Sequence, residues 1–160
     1  SDVVHRIVTN RTQPSYWYFV DQGATTLPEY WDMERSQNHA MMGHVKEWLA
    51  RYLTGIDFTE PGYRRIRIRP CLPEGVEDAR ATVPSPYGQI SFAWKKGRGG
   101  VVCELEVPFG TQAQVWLPAE GEQELTVNGQ RKADARMAGD GILDVGTFPS
   151  GRYTILLKKA

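Results

Sequence analysis

Between Gly23 and Ala40 the chain reads GATTLPEYWDMERSQNHA. One carboxylate, Glu29, stands beside Tyr30 and Trp31, and His39 follows a polar turn just before a helical pattern begins. Such a mixture contributes little to an apolar core. Together these side chains suit a pocket that handles sugar: a carboxylate for proton transfer, an imidazole for a hydroxyl, and an indole for an apolar C–H face. Taken alone, an acid between aromatics is also the pattern of a solvated surface carboxylate, and a histidine at a helix entrance is also a structural residue.

Two regimes of secondary structure would hold these residues in place. Up to about Asp57 the pattern is helical with aromatic-rich connections. Gln13–Val20 opens with a proline and turns apolar, which fits a short helix or a buried extended segment, and Gly23 ends it. From Ala40 to Thr54 the spacing of Met41, Val45, Trp48, Leu49, Tyr52 and Leu53 at three and four predicts a helix with one broad apolar stripe, Trp48 and Tyr52 in its core. Asn38 is the expected N-cap and Gly55 the left-handed residue that closes the C-terminus.

From Gly62 onward the pattern changes to strands and turns. Strands are predicted at 63–69, 78–83, 89–95, 101–107, 113–117, 124–127, 142–145 and 153–158. Pro84–Gly88, Lys96–Gly100, Pro108–Gly110, Asn128–Gly129 and Pro149–Gly151 read as the turns between them. Short strands at this spacing indicate an antiparallel β-sandwich. The expected fold class is α+β: a short helical segment, the end of a truncated α/α barrel, followed by an antiparallel β-sandwich. The domain boundaries are expected at 1–60 and 61–160. One good helix and one short one cannot cover each other's apolar faces, so the helical part needs partners from the sandwich or from a larger helical body.

Composition narrows the function classes. Nineteen basic residues balance nineteen acidic ones, which lacks the basic footprint of a nucleic-acid binder. Arg64, Arg65, Arg67 and Arg69 alternate around Ile66 and Ile68, as on the solvent face of a strand. No apolar run approaches the roughly 18 residues of a membrane helix. The start of the chain has no leader-like basic and apolar run and no Met, as an excised piece would read. Cys71 and Cys103 fit no metal or redox spacing and are expected as free thiols, with Cys103 facing the core. His44 follows His39 by five residues, off the i, i+4 spacing of a two-histidine metal pair, and reads as structural or exposed; His5 reads as incidental. No metal and no cofactor is expected.

The string Gly23-Ala24-Thr25-Thr26-Leu27-Pro28-Glu29-Tyr30-Trp31-Asp32, followed by Ser36-Gln37-Asn38-His39-Ala40-Met41-Met42-Gly43, resembles the end of the catalytic domain of bacterial α-L-rhamnosidases. Arg51–Ile56, Pro61–Pro70, and Ser85-Pro86-Tyr87-Gly88 with Trp94 after it are similar to the landmarks that follow in that family. Two features depart from its usual pattern: Pro28 stands where a tryptophan is usual, and the connection from Trp31 to Asn38 is short.

The resemblance implies an (α/α)6-barrel glycoside hydrolase that inverts anomeric configuration. It makes Glu29 the general base, His39 a sugar contact and Trp31 a wall of the pocket, with the general acid in an upstream motif outside this chain. The implied partners are a rhamnose-containing glycoside and the remainder of the barrel, with no nucleic acid and no membrane. The chain alone is expected to be inactive and to self-associate through the stripe of the Ala40–Thr54 helix and the Tyr16–Phe19 segment. The alternative is a non-catalytic β-sandwich module that binds carbohydrate or a neighbouring domain. Tyr87, Trp94, Trp116 and Tyr153, mostly at strand positions compatible with a core, favour a structural sandwich instead.

Overall fold

The computed structural model describes residues 2–139 and 141–159. Two compact units divide the chain, one up to Leu49 and one from Ala50.

The first unit begins with α1 (Asp2–Thr9), none of whose residues is buried. The Gln13–Val20 segment resolves as a helix, α2 (Tyr16–Asp21). Ser15 caps it in extended conformation, its buried hydroxyl accepting from the Trp17 amide at 3.1 Å. Gly23, at φ +74°, turns the chain out of it, its amide donating to the Val20 carbonyl.

The next helical stretch is not one regular α-helix. A 3-10 turn (Ala40–His44) leads into α3 (Val45–Trp48), which widens into a π turn (Leu49–Leu53). The N-cap is His39 rather than Asn38, and it makes no side-chain capping bond. The stripe accordingly loses its phase. Trp48 and Met42 are buried, whereas Met41 and Tyr52 are 56% and 58% exposed. A 3.6-residue period holds only while the winding is α; a tighter turn before it and a wider one after it rotate the outer members away from the common face.

Among the described residues of the second unit, nine strands are hydrogen-bonded into one sheet: β1 (Ile56–Phe58), β2 (Arg65–Ile68), β3 (Asp78–Ser85), β4 (Gly88–Gly97), β5 (Gly100–Pro118), β6 (Gln123–Val127), β7 (Gln130–Arg131), β8 (Arg136–Gly139) and β9 (Ile142–Lys159). Every pairing among them is antiparallel except β2 on β5. The long strands β5 and β9 run alongside each other and form the spine. The first part of β5 carries β4 and β3, and its second part carries β2 and β1. In the same way β9 carries β8 along its first part and β6 along its last.

Pro108–Gly110 and Pro149–Gly151 do not end strands. They are facing bends within β5 and β9, where the register slips between Val107 and Gln112. An irregularity of this kind bends the strand and interrupts the ladder locally, and the pairing resumes beyond it. The two halves of the sheet then share one core, in which Phe92, Trp94, Leu105 and Ile155 belong to the same cluster as Ile68, Val115 and Val145. The strand alternation read from sequence holds: Ile66 and Ile68 are buried between exposed Arg65 and Arg67. Asn128 and Gly129, both at positive φ, make the β6–β7 hairpin turn.

The start of the second unit is tied into this sheet. The Trp94 indole donates to the Leu53 carbonyl at 2.8 Å, and the Cys71 amide to the Tyr52 carbonyl at 2.7 Å, so carbonyls orphaned at the helix end find partners. Gly55, at φ +78°, passes so close to the exit of β2 that a β-carbon there would lie 2.2 Å from the Pro70 nitrogen. Cys103 is a free thiol, fully buried, and burial pushes it up to about 12.

Candidate functional site

Glu29 and His39 lie well apart in the chain, and the backbone brings their segments together. The Glu29 amide donates to the Ser36 carbonyl at 2.8 Å, and the His39 amide donates to the Leu27 carbonyl at 2.7 Å. The Thr26 hydroxyl donates to the Gln37 carbonyl, adding a third tie between the two arms. These bonds pinch off a closed tip that runs from Tyr30 to Arg35.

The backbone of this tip is folded tightly. Its Met33 amide donates to the Tyr30 carbonyl, and the Asp32 carboxylate accepts from the Glu34 amide at 3.0 Å. The Gln37 side-chain amide donates to the Met33 carbonyl. Met33 and Arg35 both sit at φ +64°, where non-glycine residues are uncommon. The Arg35 guanidinium lies 5.2 Å from the centre of the Tyr30 ring.

Glu29 and His39 are each half-buried. Pro28, next to Glu29 in the chain, is fully buried. Trp31 takes a different direction. Its ring stacks on Phe19 at 5.2 Å and meets Tyr16 edge-on at 5.3 Å, while its carbonyl accepts from the Gln13 side chain at 2.9 Å. Phe19 is therefore buried within an aromatic cluster rather than exposed on α2. The Tyr16 hydroxyl donates to the Met42 carbonyl at 2.8 Å, which ties α2 to the turn after His39; burial raises this phenol above its ordinary value. His44 is exposed, its Nδ1 2.6 Å from the Met41 carbonyl.

Other acids near Glu29 are engaged locally. Asp21 pairs with Arg11 at 3.0 Å, and Asp32 caps its own turn. Among the described residues no group of three or more His, Cys, Asp or Glu side chains is placed to hold a metal ion. No helix among them is long and apolar enough to cross a membrane. The sequence alone assigned no site role to Thr26, Ser36, Gln37 or Tyr16, which supply the ties around the loop. The signal for the first three was the run of small and amide side chains on both arms, residue types that bond to nearby backbone.

Two family descriptions cover most of the chain: the bacterial alpha-L-rhamnosidase 6 hairpin glycosidase domain over residues 1–53, and the bacterial alpha-L-rhamnosidase C-terminal domain over residues 55–132. The chain belongs to the bacterial α-L-rhamnosidase family. An α-L-rhamnosidase of Streptomyces avermitilis is 38% identical over 131 residues, which are 75% of this chain and 13% of that protein. The solved structure of the Streptomyces avermitilis α-L-rhamnosidase complexed with L-rhamnose superposes with a TM-score of 0.83 at 34% identity, covering 99% of this chain and 16% of that one. The α-L-rhamnosidase from Dictyoglumus thermophilum gives a TM-score of 0.86 at 26% identity, covering 99% and 19%. The chain thus spans less than a fifth of the length of these rhamnosidases. The helical segment followed by a mostly antiparallel sheet is the architecture it shares with them.

Proposed function

We propose that the whole enzyme of which this chain is a part hydrolyses terminal α-L-rhamnosyl residues with inversion, and that Glu29 is its general base. The helical residues before β1 are then the end of an (α/α)6 barrel, and the sheet that begins with β1 is its C-terminal sandwich. The observation that carries the reading is the pinched loop, which holds Glu29 and His39 on adjoining arms through two backbone hydrogen bonds. In an inverting hydrolysis one carboxylic acid protonates the leaving oxygen. A carboxylate on the other side of the ring takes a proton from the attacking water, the two carboxyl groups standing about 6.5–9.5 Å apart. Glu29 performs the second task, His39 bonds a sugar hydroxyl, and the exposed part of Trp31 borders the pocket from its aromatic cluster.

The proton donor comes from outside this chain, because the acids close to Glu29 in sequence share its loop or are paired elsewhere. The 160 residues alone are therefore expected to release no product from an aryl α-L-rhamnoside; steady turnover would contradict this. In the whole enzyme, Glu29→Ala should abolish hydrolysis while the fold persists. Azide, which attacks without deprotonation, should restore turnover of an activated aryl rhamnoside and yield a glycosyl azide of inverted configuration. Hydrolysis that survives Glu29→Ala, or a retained-configuration azide, would remove Glu29 from the role.

The rest of the barrel is the expected cover for the exposed apolar side chains of the first unit, among them Val3, Trp17, Val20 and Met41. Without it, light scattering should show self-association that grows with concentration.

A further inference from the structure

At one end of the sheet unit, a groove of about 510 Å³ opens between the 3-10 turn at Pro61–Tyr63 and the facing bends of β5 and β9. Glu60, Arg64 and Arg65 line one side, and Gly110, Thr111, Gln112 and Pro149 the other. Arg65 pairs with Glu60 at 2.8 Å. Among the described residues no carboxylate pairs with Arg64, so the groove keeps one uncompensated guanidinium.

The wall opposite Arg64 is built rather than loose. The buried Thr111 hydroxyl donates to the Pro108 carbonyl at 2.8 Å, and the Tyr153 hydroxyl donates to the Pro149 carbonyl at 3.0 Å. One aromatic side chain, Tyr87, lies beside this wall. A β-carbon on Gly110 would lie 3.8 Å from the Tyr87 ring, so that ring sits next to one of the groove's lining residues. Tyr87 is 43% exposed, on a hairpin turn held by the Ser85 hydroxyl, which accepts from the Tyr87 amide at 3.2 Å and donates to the Gly88 carbonyl at 2.7 Å. Phe109, the residue before Gly110, is 90% exposed.

We propose that this groove is a subsite for an acidic saccharide, whose carboxylate pairs with Arg64 and whose apolar C–H face rests on Tyr87 and Phe109. A planar guanidinium matches a carboxylate in two parallel hydrogen bonds, a geometry that neither a hydroxyl nor a water provides. Gln112 and Glu60 supply acceptors and a donor for ring hydroxyls. The turn that holds Tyr87 and the bonded wall behind Gly110 limit the ordering that binding must cost. The site uses neither Glu29 nor His39, and it stands or falls separately from the catalytic reading.

The test is an amide NMR titration of the full 160-residue chain with tri-galacturonate, with neutral galactotriose and a sulfated trisaccharide as the other arms. Saturable shifts are expected at Arg64, Arg65 and residues 110–112 with tri-galacturonate. Raising salt should weaken them, since the contact is an exposed ion pair. Arg64→Gln should weaken binding by about tenfold or more, and Phe109→Ala by about threefold, as loss of a bidentate ion pair and of one apolar contact respectively. Neither variant removes a buried side chain, and unchanged spectra elsewhere would verify their folds. Equal binding of the neutral trisaccharide, equal binding of the sulfated one, or affinity untouched by Arg64→Gln would each overturn the assignment.

Discussion

The two units of the chain bury their side chains on very different scales. Among the described residues, the sheet unit gathers nineteen buried hydrophobic residues into one cluster. The unit up to Leu49 buries only Phe19, Met42 and Trp48 of its described large hydrophobic residues, and leaves Val3, Trp17, Val20, Tyr30 and Met41 exposed. A helical stretch of this size draws most of its stability from tertiary cover, and a small unit buries a smaller share of its surface. The contrast separates two tasks. The half with its own core carries no candidate for the hydrolytic chemistry, while the half that carries Glu29 and His39 relies on local ties.

Dividing the chain at the unit boundary tests this contrast most directly. A chain starting at Ala50 should unfold cooperatively on heating and keep its strand circular dichroism, whereas residues 1–49 alone should show neither stable helix nor a transition. A cooperative transition in the shorter piece would reverse the ranking of the two units.

Core truncation in the sheet should give the next largest effect. Trp94→Ala removes a fully buried ring and leaves the Leu53 carbonyl without its indole donor. It should cost about 3–5 kcal/mol in a denaturant titration of the Ala50–Ala160 piece. Gly55→Ala should cost about 2 kcal/mol in the same titration, because it adds a β-carbon against Pro70 at a left-handed φ. A loss near zero would mean that the chain end of the helix is not held against β2 as tightly as the core beside it.

A last effect depends on pH and leaves stability at neutral pH untouched. Burial raises the Cys103 thiol from 9.0 to about 12, so between these values the folded state holds a proton that the unfolded state has released. Stability should therefore be fully present below pH 9 and fall as pH rises towards 12, by at most about 1.4 kcal/mol per pH unit. Cys103→Ala should flatten that part of the curve. An unchanged alkaline slope would show that the thiol does not report on the core.

Much of the sheet was legible because strand signals are local. Alternation around Ile66 and Ile68 placed the arginines outside, and Asn128-Gly129 announced a hairpin turn that the backbone adopts. The helix after His39 was legible in place but not in winding, since residue spacing cannot distinguish a regular α-helix from 3-10 and π turns joined end to end. Tyr52 is exposed for that reason. At the candidate site Glu29, His39 and Trp31 stood out by residue type, whereas the contacts of the Trp31 ring with Tyr16 and Phe19 emerged only in the folded chain.

The order of residues thus fixed where the backbone extends, coils and reverses, and which family's landmarks it follows. It left open that Pro108–Gly110 and Pro149–Gly151 are facing bends of two continuous strands, that β2 runs parallel to β5, and that Leu27 and Glu29 bond across to His39 and Ser36; these emerged only in the folded chain. The difference lies in the range of the interactions. Side-chain periodicity and turn preference act over a few neighbours, while a hydrogen-bonded register is a property of two segments that meet only when the whole chain has folded.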